Sequence, residues 1–162
     1  MGRVQGMRTM ILPVTMTFAG VAAIINFWLA IRVGQVRHSQ KVSIGDGGNE
    51  AVIRRMRAQS NYIESTPFVL ILIGAIELAH SGSPAPTWLW AVSGIYFLGR
   101  VAHGIGMDGA GFAKGRSIGT ITTMLTLLGL GIYAIATPYM AAGKTEAPTT
   151  MDLQTAEPVT NG

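Results

Sequence analysis

A chain of 162 residues fits one domain, but 49% hydrophobic against 12% charged residues is not a soluble balance, since soluble domains carry about twice that charge. The net charge is +4, yet there is no basic amphipathic helix and no base-reading motif, which excludes a nucleic-acid-binding module. Cysteine is absent, which excludes disulfides, thiolate metal sites and a protein thiol nucleophile; any thiol chemistry must take its sulfur from a ligand.

Residues 9–31 contain no charge, and these 23 positions would extend roughly 35 Å as a helix. Arg8 and Arg32 bracket the run, and its length exceeds the roughly 7–15 apolar residues of a signal peptide, so the sequence predicts a retained span over about 9–33. Asn26, Ala30, Val33 and Arg37 continue the helical spacing. Gly45-Asp46-Gly47-Gly48-Asn49 reads as a loop. A second span is predicted over about 51–80, with Glu64 and Glu77 inside its pattern. The turn Ser81 to Pro86 follows. A third span, about 87–107, opens with Trp88 and Trp90, residue types suited to a membrane interface. Gly104 to Gly111 reads as a second loop, and a fourth span covers about 112–139, inside the uncharged run 117–143. Residues 1–143 thus form the membrane domain. The tail 144–162, polar and rich in Thr and Pro, is expected to be disordered.

Lys and Arg counts set the orientation. The first loop and its flanks hold Arg32, Arg37, Lys41, Arg54, Arg55 and Arg57; the loop before the fourth span adds Arg100, Lys114 and Arg116. The turn at 81–86 holds none, the N-terminal segment only Arg3 and Arg8, and the tail only Lys144. The expectation is an all-α transmembrane four-helix bundle with both basic loops in the cytosol and both termini on the other side.

Polar residues gather at the basic end. Arg57, Asn61 and Glu64 fall at i, i+4 and i+7, one face of a helix, with Ser60 beside them. Arg100 and His103 lie at i and i+3 near the end of the third span, and Arg116-Ser117 opens the fourth. The starts of spans two and four would add helix N-termini, which favour anions. Polar groups at such depth are costly unless partnered, so two readings stand. One is a cationic pocket for a small anionic or zwitterionic ligand. The other is a set of interhelical hydrogen bonds, with Arg100 paired to Glu64 or Glu77. Arg54, Arg55 and Lys114 read as topology determinants and lipid-phosphate contacts. Gly111, Gly115 and Gly119 read as close helix packing. Glu77 and His80 fall at the opposite end and receive no functional role; no metal site is expected.

Four segments carry a family resemblance. Arg57-Ala58-Gln59-x-Asn61-x-x-Glu64-x-x-Pro67, Phe97-Leu98-Gly99-Arg100-Val101-Ala102-His103, Arg116-Ser117 and Gly34-Gln35-Val36-Arg37 together resemble the membrane-associated proteins in eicosanoid and glutathione metabolism (MAPEG), over about residues 10–140. The match is most similar to the microsomal prostaglandin E synthase branch.

The resemblance implies a homotrimer with glutathione bound between neighbouring subunits near the cytosol. Arg37, Arg57, Asn61, Glu64, Arg100 and His103 would hold the tripeptide or shape its cleft. Arg116 would stabilise its thiolate, with Ser117 beside it. A lipophilic second substrate would enter from the bilayer between helices one and four. A thiol with a pKa of about 8.5 is mostly protonated at neutral pH, and a fixed guanidinium favours the reactive thiolate without competing for the proton. Met107 and Thr120 stand where the branch has tyrosines, and Ser60 where it has an arginine. These departures point away from prostaglandin isomerisation. They favour a bacterial-type glutathione transferase or peroxidase of the inner membrane, acting on lipophilic electrophiles or lipid hydroperoxides. A non-catalytic lipid-binding scaffold and a small proton-coupled transporter centred on Glu64 are the alternatives.

Overall fold

The structure, a computed structural model, describes residues 11–80, 84–109 and 112–145, with side chains as far as residue 141. It contains four α-helices: α1 (Pro13–Ser39), α2 (Glu50–Ala79), α3 (Thr87–Gly106) and α4 (Lys114–Thr145). Arg3, Arg8, the turn at 81–83, Gly111 and residues 146–162 of the tail lie outside the described residues.

Helix boundaries depart from the sequence reading in three places, each for a local reason. α1 begins at Pro13, whose ring suits the first helical turn, and runs on to Ser39, with Arg37 and His38 favourably placed at the C-terminal dipole end. Gly104 and Gly106, which fell in both the expected third span and the expected loop, belong to α3. α4 continues through Pro138 to Thr145, so the first residues of the expected tail are helical.

Among the described residues, three helices are long and apolar enough to cross a membrane: Pro13–Ser39, Glu50–Ala79 and Lys114–Ala141. α3 is the shortest helix, at 20 residues, and carries Ser93, Arg100 and His103. All three are buried, so its polar groups face the bundle interior. The outward surface is the reverse: Phe27, Phe68, Ile71, Leu98, Leu125, Leu128 and Ile135 are all exposed. In water such a surface would drive association; against lipid tails it costs nothing.

α1 packs chiefly on α2 and α3 on α4, with α2 also touching α4; α1 and α4 do not meet among the described residues. The core is a helical-spaced stripe from each helix, including Ala22, Ile25 and Leu29 with Tyr62, Val69 and Ile73, closed by Leu89, Tyr96 and Leu130. Hydroxyls inside it are satisfied. The Tyr62 hydroxyl donates to the Ala22 carbonyl at 2.9 Å, and the Tyr96 hydroxyl lies 2.9 Å from Thr66 Oγ1.

Close packing of α3 on α4 follows from glycine. A Cβ at Gly119 would collide with the Gly99 carbonyl and with His103, and one at Gly115 with the Ala102 carbonyl. The expectation of close packing therefore holds for both of these positions. At the far end, Glu77 accepts from the Val14 N–H at 2.9 Å and from the Thr15 N–H and hydroxyl at 2.8 and 2.7 Å. Leu12 offers α1 no side-chain cap, and this buried carboxylate from α2 replaces one. Glu77 thus has a structural role that the sequence did not reveal.

Candidate functional site

The antiparallel course brings the ends of α1 and α3 beside the starts of α2 and α4, and two adjoining recesses open there. The first, of about 220 Å³, is lined by Arg57, Ser60, Asn61, Glu64, His103 and Met107. The second, of about 430 Å³, is lined by Glu50, Ile53, Arg54, Arg57, Gly106, Met107, Gly109, Ala113 and Arg116. Arg57 and Met107 belong to both, so the recesses are contiguous. Small-molecule sites commonly occupy about 300–1,000 Å³, a scale the pair reaches. A separate apolar groove of about 430 Å³ runs between α3 and α4 past Trp88, Val92, Leu125 and Tyr133; it carries no ionised group.

Each polar side chain arrives by its helix register. Arg57, Asn61 and Glu64 share one face of α2. Asn61 Oδ1 accepts from Arg100 Nη1 at 2.8 Å, which orients the carboxamide and leaves its NH2 group as a donor. Arg100 is 1% exposed and also donates to Thr123 Oγ1 at 3.0 Å. It sits 5.5 Å from the Tyr62 ring centroid and pairs with neither Glu64 nor Glu77 among the described residues. Arg100 therefore lies behind Asn61 and lines neither recess.

His103 Nδ1 lies 3.1 Å from the Arg116 carbonyl. A carbonyl can only accept, so Nδ1 carries the proton and Nε2 of the neutral ring is left as an acceptor. Thr120 Oγ1 donates to the same carbonyl at 2.9 Å. The replaced tyrosine position thus has a local task, fixing the first turn of α4. Gly106 is also necessary here: a Cβ on it would run into the Arg116 backbone nitrogen.

The helix N-termini contribute less than their dipoles suggest. Asn49 Oδ1 accepts from the Ala51 and Val52 amides at 3.0 and 3.2 Å. In α4 the Gly115 and Arg116 amides donate to the Phe112 and Ala113 carbonyls at 2.9 and 3.3 Å. Side chains, not free amides, supply the charge.

Which cations remain available was not evident from the sequence. Arg54 pairs with Glu50 at 3.0 Å. Arg55 and Arg32 both pair with Asp108, so Arg55 is more than a topology determinant. Arg57, Glu64 and Arg116 form no ion pair among the described residues, and all three are exposed at the recesses. Two expected participants stand outside. Arg37 is half-buried with Nη2 3.5 Å from Met56 Sδ and lines neither recess. Ser117 is exposed and lines neither. The sequence reading counted Arg32 only towards orientation and gave Asp108 no role, and so missed their pairing. The available signal was that Asp108 is the single acid between Glu77 and Glu146.

The arrangement presents unpaired charges of both signs, an amide donor and an imidazole acceptor. That set suits a small zwitterion with carboxylates and an ammonium group, and the residues present fit a peptide thiol such as glutathione. Among the described residues no cluster of three or more His, Asp or Glu gathers for a metal. No curated protein matches the chain. The family model described as the MAPEG family matches residues 15–136, well over half the chain and all four helices, and this membrane-helix protein belongs to that family.

Proposed function

We propose that the protein is a glutathione-dependent transferase or peroxidase acting on lipophilic electrophiles or lipid hydroperoxides within the membrane. One observation carries the reading: Arg57, Glu64 and Arg116, with no ion pair among the described residues, line adjoining recesses at one end of the bundle. Arg57 is suited to a peptide carboxylate and Glu64 to the ammonium, with Asn61 and His103 meeting the amide backbone. Arg116, with Ser117 one residue on, would lie against the sulfur. A guanidinium there favours the thiolate, whose sulfur attacks the electrophilic carbon while the leaving group departs with its electron pair.

This end would face the cytosol, on the Lys and Arg distribution. Among the described residues α1 and α4 do not meet within one chain; a lipid-facing cleft between them would take α1 of one protomer and α4 of its neighbour, as in the homotrimer that the family resemblance implies. Arg37, outside the recess of its own chain, would serve the neighbouring one. On the motifs quoted from its helices, the chain would fall near the microsomal prostaglandin E synthase branch and would sit in a bacterial inner membrane. A second reading, a lipid-binding scaffold without catalysis, is favoured by Ser60 and Met107: both line the first recess and supply neither a cation nor an aromatic hydroxyl.

The test is thiolate ultraviolet absorbance on adding glutathione to detergent-purified protein across pH. Wild type should titrate below the thiol's ordinary value of about 8.5, and Arg116→Ala should return the midpoint towards it. Binding without a thiolate signal in wild type supports the scaffold. A signal unchanged by the substitution removes Arg116 from the chemistry.

A further inference from the structure

Asp108 ties three helices together with one carboxylate. Arg55 reaches it with Nε at 3.1 Å and Nη2 at 3.5 Å, and Arg32 Nη2 reaches the same group. Each arginine is itself held by backbone. Arg32 Nη1 donates to the Gly104 carbonyl at 2.8 Å, and Arg55 Nη1 to the Arg32 carbonyl at 3.2 Å. The Arg32 guanidinium also lies 4.6 Å from the Trp28 ring centroid. The end of α1, the start of α2 and the end of α3 are thus joined through one acid.

The clamp stands directly behind the wall of the site. Met107 and Gly109, on either side of Asp108, line the second recess, and Gly106 abuts the Arg116 backbone. Gly109 has a φ of 83°, a left-handed conformation that glycine accepts without strain. On the other side, Arg57 follows Arg55 by two residues on α2. Fixing Arg55 to Asp108 therefore fixes the distance between the Arg57 and Arg116 sides of the recess.

We propose that Asp108, acting through Arg32 and Arg55, is a positioning residue that holds the Gly106–Gly109 wall at the spacing the ligand requires. The proposal rests on the glutathione reading of the recess. The Arg55–Asp108 pair, with side chains 27% and 31% accessible, adds little to global stability; Arg32, at 11%, is the more buried arm. Local geometry is where the clamp acts. Its alternative has the opposite sign: if Asp108 only lowered the local positive potential, removing it would free two cations beside an anion site and tighten binding.

The experiment uses the full chain in detergent, with 1-chloro-2,4-dinitrobenzene as the electrophile. Asp108→Asn should raise KM for glutathione at least fivefold with kcat within twofold. Asp108→Glu should recover most of it, and Arg55→Gln, which leaves the Arg32 pair, should shift KM the same way by less. A KM unchanged or lowered in Asp108→Asn overturns the proposal, as does a loss confined to kcat. Hydrogen exchange of the Gly104–Gly109 amides without glutathione supplies an independent arm. It should quicken in Asp108→Asn, and unchanged exchange overturns the clamp. Wild type with neither glutathione binding nor turnover would overturn the functional reading and Asp108's role towards that ligand, while the exchange arm still decides the clamp.

Discussion

His103 and Arg116 are joined across the contact between α3 and α4: the imidazole Nδ1 lies 3.1 Å from the Arg116 carbonyl. The bond couples the residue at the floor of one recess to the backbone of the cation that lines the other. It forms only because the facing helices meet through Gly106, Gly115 and Gly119, where a side chain would hold them apart.

His103→Phe keeps an aromatic ring, somewhat larger, but removes the donor, leaving the Arg116 carbonyl with the Thr120 hydroxyl as its side-chain partner. One such hydrogen bond is worth about 0.5–1.5 kcal/mol net, and the imidazole acceptor lining the recess is lost with it, so glutathione affinity should fall roughly tenfold by calorimetry. His103→Gln, which retains an N–H donor, should lose less. Equal losses would show that the bond does not orient Arg116.

Glu77→Ala should lower thermal stability in detergent by about 1–2 kcal/mol, the cost of removing a helix cap. Glu77 satisfies Val14 and Thr15 at the end of the bundle remote from the recesses. Glutathione affinity at temperatures where the protein is folded should therefore stay within twofold. A large affinity loss would contradict a purely structural role.

Two glycines on α4 should respond with opposite signs. Gly119→Ala pushes a methyl into the Gly99 carbonyl and His103, overpacking that costs about 1–3 kcal/mol. A Cβ at Gly129 meets nothing within 4 Å, so Gly129→Ala should be neutral or stabilise by up to about 1 kcal/mol through helix propensity. Thermal unfolding of the two variants decides it.

Asn61 and Arg100 should behave as a coupled pair. Asn61→Leu takes the best partner from a guanidinium that is 1% exposed, and should destabilise by about 1–3 kcal/mol. Arg100→Met removes the buried charge itself and should cost less. The double variant should regain stability relative to Asn61→Leu, and a thermal-unfolding cycle without coupling would refute the pairing.

Hydropathy and helical spacing run along the chain, and they were enough to place four helices, the basic loops and the polar stripe of Arg57, Asn61 and Glu64. The family likeness was legible for the same reason, because its motifs are short and local. What the sequence could not determine was which of those charges remain available. Asp108 lies 76 residues from Arg32 and 53 from Arg55, yet it pairs with both. Arg100 turned out to stand behind Asn61, Arg37 outside the recess of its own chain, and Glu77 at the start of α1. Ion pairing between helices depends on how each is rotated and how closely it approaches its neighbour. Those quantities come from the packing of all four helices together, and no stretch of one helix encodes them.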